Sequence, residues 1–172
     1  MRQSDQHGRL HMTRLLCVLG VSAWSAAIAG SQAGASASLP AALRAHLKDE
    51  RLQIVTSVRG LPLGVREELQ TLFGSNTLDI AEPGARFQVT DVVVDPNLPR
   101  RRLVSAGCSQ DHCLVYYERG GIAHTWHVAL FHWTPGETRL DGGGIAPSGL
   151  ASVEEVRNAI LSGAIKGPNR SW

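Results

Sequence analysis

The sequence predicts an α+β fold: an antiparallel sheet of four to five strands, built on two consecutive hairpins and packed by two to three helices. Three observations carry this. Residues 108–133, CSQDHCLVYYERGGIAHTWHVALFHW, contain two strand-like runs separated by Gly120-Gly121, a dipeptide suited to a two-residue hairpin turn. Just before them, residues 101–107 form a further apolar run that a Cys108–Cys113 bridge would close into a second hairpin. On either side, residues 63–73 and 152–163 combine helical periodicity with helix-end residues.

At 172 residues, the chain is long enough for one domain with its own core. The N-terminus differs in character from the rest. Arg2, Arg9 and Arg14 precede or flank an apolar run at 15–29, and only small residues follow. These are the parts of a secretory signal, with cleavage expected before Gly30 or, alternatively, before Ser38. About fifteen apolar residues fall short of the ~20 that a membrane helix needs. The expected organisation is a signal peptide at 1–29, a flexible mature N-terminus at 30–38, a single α+β domain at 39–166 and a tail at 167–172. Localisation is accordingly secreted or periplasmic. The leader carries three arginines and one aspartate, so the mature chain holds fourteen basic and fourteen acidic residues. A neutral domain offers no electrostatic footprint for nucleic acid. No membrane insertion is expected after cleavage. Cys17 leaves with the leader, and the remaining pair, Cys108 and Cys113, reads as one disulfide in an oxidising compartment.

Leu39, Leu43 and Leu47 recur every four residues and predict a helix over 40–50. Residues 51–58, RLQIVTSV, fit either a strand or a continuation of that helix. Gly60 and Pro62 then break the chain. In the next helix Val65, Leu69, Leu72 and Phe73 share a face, and Gly74 stands where a helix-ending glycine belongs. Residues 86–94, RFQVTDVVV, alternate and predict a strand; residues 101–107 predict the next. The glycine-rich stretch 134–150 accommodates at most one short strand, near 138–140. Ser152 followed by Glu155 is a capping box for the last helix.

The Gly-Gly turn pairs Tyr117 with His124 and Tyr116 with Thr125, and the disulfide pairs Ala106 with Val115 and Val104 with Tyr117. Because side chains alternate across a sheet, one face should collect Val104, Ala106, Val115, Tyr117, Ile122, His124, Trp126, Val128 and Leu130 as the core. The other should collect Leu103, Ser105, Leu114, Tyr116, Glu118, Thr125, His127, Phe131 and Trp133, a mixture of aromatic and titratable groups.

This second face holds the candidate site: binding residues Tyr116, Thr125, His127, Phe131 and Trp133, with His127, Tyr116 and Glu118 as acid/base candidates, since imidazole titrates near neutrality. No metal site or cofactor is expected. On a strand His124 and His127 point to opposite faces, and His124 and His132 stand about 26 Å apart. The sequence contains no GxSxG, HExxH, Walker A or GxGxxG motif. The cluster at Arg100, Arg101 and Arg102 is expected to blunt a strand edge. The leading functional expectation is a non-enzymatic exported binding module that meets an envelope protein, peptide or glycan. The alternative is a small hydrolase-like enzyme using His127 with Tyr116 or Glu118.

Intact-mass analysis of the exported protein, denatured and alkylated without reductant, should give a chain starting at Gly30 or Ser38 with no alkylated cysteine. Two alkylated thiols would refute the disulfide.

Overall fold

The computed structural model describes residues 39–167. The expected signal peptide, the flexible stretch at 30–38 and all but Gly167 of the expected tail lie outside the described residues. Helix α1 (Ala41–Asp49) leads into strand β1 (Gln53–Val55), a 3-10 turn (Val58–Gly60) and helix α2 (Leu63–Phe73). Strands β2 (Arg101–Cys108), β3 (His112–Arg119), β4 (Thr125–Thr134) and β5 (Glu137–Ala146) follow, and helix α3 (Val153–Leu161) closes the order. The five strands form one antiparallel meander in the order β1-β2-β3-β4-β5. The predicted α+β class with two consecutive hairpins is what the chain adopts. No helix among the described residues is long and apolar enough to cross a membrane.

Local chemistry explains the helix ends. Gly74 takes φ 61°, a left-handed conformation that glycine adopts without a Cβ penalty, and its N–H closes α2 on the carbonyls of Gln70 and Thr71. Ser152 Oγ accepts from Glu155 N at 3.2 Å, while Glu155 Oε2 reaches back to accept from Ala151 N at 2.8 Å. Residues 51–58, open between helix and strand, divide into the short β1 and the 3-10 turn.

Both faces of the sheet are covered. Against one face α2 and the 3-10 turn set Val58, Leu61, Val65 and Leu69, which meet Leu103, Val115, Tyr117, Ala129 and Phe131. Against the other, α1 and α3 set Leu47, Val153 and Val156, which meet Leu114, Tyr116, Val128 and Leu130. The expected division into one core face and one open mixed face therefore does not hold. Its physical cause is visible in β3 and β4, whose apolar runs lack strict polar alternation, the pattern of strands buried on both sides.

Register accounts for the reassigned faces. The first hairpin pairs Cys108 with Cys113 and Ala106 with Val115, as expected. A bulge at Val104 then places Leu103, rather than Val104, opposite Tyr117. In the second hairpin the connection is five residues long, 120–124, and Tyr117 pairs with His127 instead of His124. Since this slip is three residues, an odd number, every β4 side chain changes face relative to β3. The reason lies at Gly120, where a Cβ would sit 1.8 Å from the Gln88 carbonyl oxygen. Its N–H donates to Arg100 O, and Gly121 N–H donates to Val89 O, both at 3.0 Å. The glycines thus dock the hairpin against residues 86–94 rather than forming a tight primed turn.

Two further elements differ from expectation. Residues 86–94 form no strand; they run irregularly beside the β3–β4 connection, with Phe87 buried and Val92 and Val94 exposed. Conversely, the glycine-rich stretch contains the ten-residue β5. There Gly144 allows backbone contact, because a Cβ would lie 1.9 Å from Lys166 O. The arginine cluster is built into the fold: Arg101 pairs with Asp79 at 2.7 Å and covers the Phe73 ring, and Arg102 pairs with Glu118.

Leu69→Ala and Leu47→Ala, one for each face, should each cost about 2–5 kcal/mol in urea unfolding. A sheet covered on only one side would leave one of the two nearly neutral.

Candidate functional site

The structure separates the acid/base candidates. His127, on the α2 face of β4, is only 2% exposed. Its ring stacks on Tyr117 at 5.3 Å, and its Nε2 lies 2.9 Å from Thr125 Oγ1. Tyr116 and Glu118 lie on the opposite face. The Tyr116 hydroxyl donates to Pro147 O at 2.8 Å. Glu118 accepts from Arg102 Nε at 2.6 Å and approaches His124 Nε2 at 2.7 Å. Tyr117, not Tyr116, is the phenol beside His127, and burial pushes it well above its usual range. Of the proposed trio, none meets another; only His127 and Thr125 come together as expected.

His127 borders a cleft of about 420 Å³ that also touches Asp91, Arg100 and Arg119. Burial, reinforced by the positive charges of Arg119 and Arg101, lowers its pKa to about 4. At neutral pH it is a neutral imidazole, too weak a base for efficient proton transfer near pH 7. Phe131 is fully buried beneath α2, and Trp133 is half-buried at the margin of that core. Phe131 therefore contributes to the core rather than to an exposed aromatic patch. Trp133 borders a cleft of about 780 Å³ alongside β1 and the disulfide hairpin.

The best-organised polar constellation lies at the disulfide end of the sheet. The Cys108–Cys113 bridge closes the loop at 109–112, from which Ser109 Oγ accepts the N–H groups of Asp111 and His112 at 3.0 and 2.9 Å. His112 is 5% exposed. Its Nδ1 lies 2.9 Å from Glu50 Oε2, and its Nε2 lies 3.7 Å from Asp141 Oδ2. Glu50 also accepts the Ser109 hydroxyl. His132, the cross-strand partner of His112, brings its ring to 5.7 Å, and His46 approaches from the end of α1 at 5.2 Å.

Two sets of donors capable of holding a metal share His112: His46, Glu50 and His112, and His112, His132 and Asp141. Within each set all donor atoms lie within 4.8 Å of one another. The sequence suggests His124, His127 and His132, and Cys108 and Cys113 with His112, as metal donors, and strand geometry and the disulfide argue against both groupings. His46 and Glu50 stand four apart at a helix end, a spacing that places them on one side, and this signal was available. The meeting of His112 and His132 required the register, and that of Asp141 required recognising β5.

Comparison with protein-family models, with curated proteins and with solved structures yields no match.

Because the His127 pKa is lowered below its unfolded value near 6.5, the unfolded chain takes up the extra proton first. The contribution to stability is present above about pH 6.5 and is lost as pH falls toward 4, on the order of 3 kcal/mol at most. Ring NMR should show His127 titrating near pH 4, and urea unfolding of His127→Gln should lose less stability than wild type between pH 7 and pH 5. A ring titrating at pH 6 or above would contradict this.

Proposed function

We propose that this chain is an exported, non-enzymatic binding module that takes up an extended peptide segment along the free edge of β1. One observation carries the reading. Among the described residues β1 has β2 on one side and no strand on the other, and its residues Gln53, Ile54 and Val55 line a cleft of about 780 Å³ together with Cys108, the loop at 109–111 and Trp133. The opposite edge is closed at Ile145, whose backbone exchanges two 2.9 Å hydrogen bonds with Lys166.

Edge chemistry favours this occupant. The outward N–H and C=O groups of an edge strand are matched by another extended chain, and pockets beside them sort alternate side chains. Ile54, 74% exposed, stands on this edge, and the Trp133 indole borders the same cleft. Both faces of the sheet are occupied by helices, so a partner meets the edge rather than the aromatic face. A three-residue edge is also short enough to discourage self-association. Glu118, the carboxylate of the trio, does not reach His127, which ranks the hydrolase reading second.

Selection of a displayed random-peptide library on the full mature chain should enrich peptides with alternating apolar residues. Ile54→Asp should weaken their binding at least tenfold, whereas Ile122→Asp, beside the His127 cleft, should leave it unchanged. No enrichment, or equal effects of the two substitutions, would overturn the proposal.

A further inference from the structure

From the geometry at the disulfide end we infer a binding site for one divalent transition-metal ion of the zinc class, held by His112, His132 and Asp141, with Glu50 positioning His112 from behind. This inference does not rest on peptide binding at β1. The three ligands come from adjacent strands. His112 on β3 and His132 on β4 are direct cross-strand partners. Asp141 is the extra residue of a bulge in β5, where pairing steps from Leu130 with Gly142 to Phe131 with Leu140. A bulge re-aims a side chain out of strict alternation, and here the aspartate reaches the two imidazoles.

The distances suit a small ion. All three donor atoms lie within 4.8 Å, and His112 Nε2 and Asp141 Oδ2 are 3.7 Å apart. Bonds of about 2.0–2.1 Å in a tetrahedral site put neighbouring ligands roughly 3.3 Å apart, so closure on an ion draws the three donors inward. Two imidazoles and one carboxylate suit zinc-like ions, whereas calcium and magnesium call for an all-oxygen shell. Three protein ligands leave a fourth position for water or an exogenous ligand.

The surroundings match what metal-bound histidines require. A ligating imidazole commonly donates its second N–H to a carboxylate, which fixes the tautomer and the ring orientation. Glu50 stands 2.9 Å from His112 Nδ1 and is itself anchored by the Ser109 hydroxyl. With that proton directed at Glu50, Nε2 keeps its lone pair toward Asp141. Arg139 Nε donates to Asp141 Oδ1 at 3.0 Å, leaving Oδ2 turned to the histidine. An imidazolium held between Glu50 and Asp141 would account for His112 alone; it gives no role to His132, whose ring converges on the same point. His46, with its side chain half exposed, lies outside the proposed ligand set.

The test uses the full mature chain, stripped with a chelator and titrated with zinc chloride by calorimetry, with bound metal counted after gel filtration. One equivalent should bind and raise Tm, while calcium and magnesium at the same concentration should not bind. Asp141→Asn and His132→Gln should weaken zinc at least about 100-fold, Glu50→Gln about 10–100-fold, and His46→Gln should leave it unchanged. Circular dichroism of the metal-free variants checks that each is folded; a variant that fails it is replaced by Asp141→Ser or His132→Asn. Absence of zinc binding, wild-type affinity in folded Asp141→Asn, or a loss in His46→Gln equal to that in Asp141→Asn would overturn the assignment.

Discussion

The central strand β3 has helices over both of its faces, and only Arg119 of its eight residues escapes full burial. That double burial is the constraint from which most of the structure follows. A buried polar group must find a partner or cost free energy on the order of 1–3 kcal/mol, and β3 carries several. Tyr116 meets it with a backbone carbonyl, Glu118 with Arg102 and His124, and His112 with Glu50 and Asp141. The polar networks at the two ends of the sheet are thus consequences of placing titratable residues on a strand that has no wet side.

The two ends are organised differently. At the β3–β4 connection the network is closed by ordinary ion pairing: Arg102, Glu118 and His124 satisfy one another, and His124 stacks on Trp126 at 4.4 Å. At the disulfide end three histidines gather: His46 reaches Glu50 and Asp111 at 3.9 and 3.6 Å, and His132 brings its ring to 5.7 Å from His112, which itself lies between Glu50 and Asp141. The disulfide gives this end its rigidity. A bridge across five positions contributes little global stability, about 2 kcal/mol in the chain-entropy model, but it fixes the loop that presents Ser109, Asp111 and His112.

Much of the scaffold was legible from local patterns. The capping pair Ser152 and Glu155, the terminating Gly74 and the Cys108–Cys113 pairing each depend on residues close in sequence, and each appears where those patterns put it. The site was legible only in fragments. The double glycine at 120–121 signals a tight turn in isolation, yet here its lack of side chains serves contact with Gln88 and Val89, more than thirty residues earlier. The resulting three-residue slip moved His127 away from Tyr116 and Glu118 and brought His132 opposite His112. Likewise the glycines of β5 read as loop residues until the close passage of Lys166 past Gly144 and of Leu39 past Gly142 is seen.

By itself, then, the sequence determined the α+β class, the consecutive hairpins and the disulfide, because periodicity, capping and turn residues act over a few positions. Tertiary structure alone decided which residues share a face, since a parity change in one loop inverts an entire strand. It also decided that helices cover both faces and that β1 stands at an edge of the sheet. The meeting of His112, His132 and Asp141 belongs to that second kind: three donors from three strands converge through pairing register and one bulge, neither of which local sequence encodes.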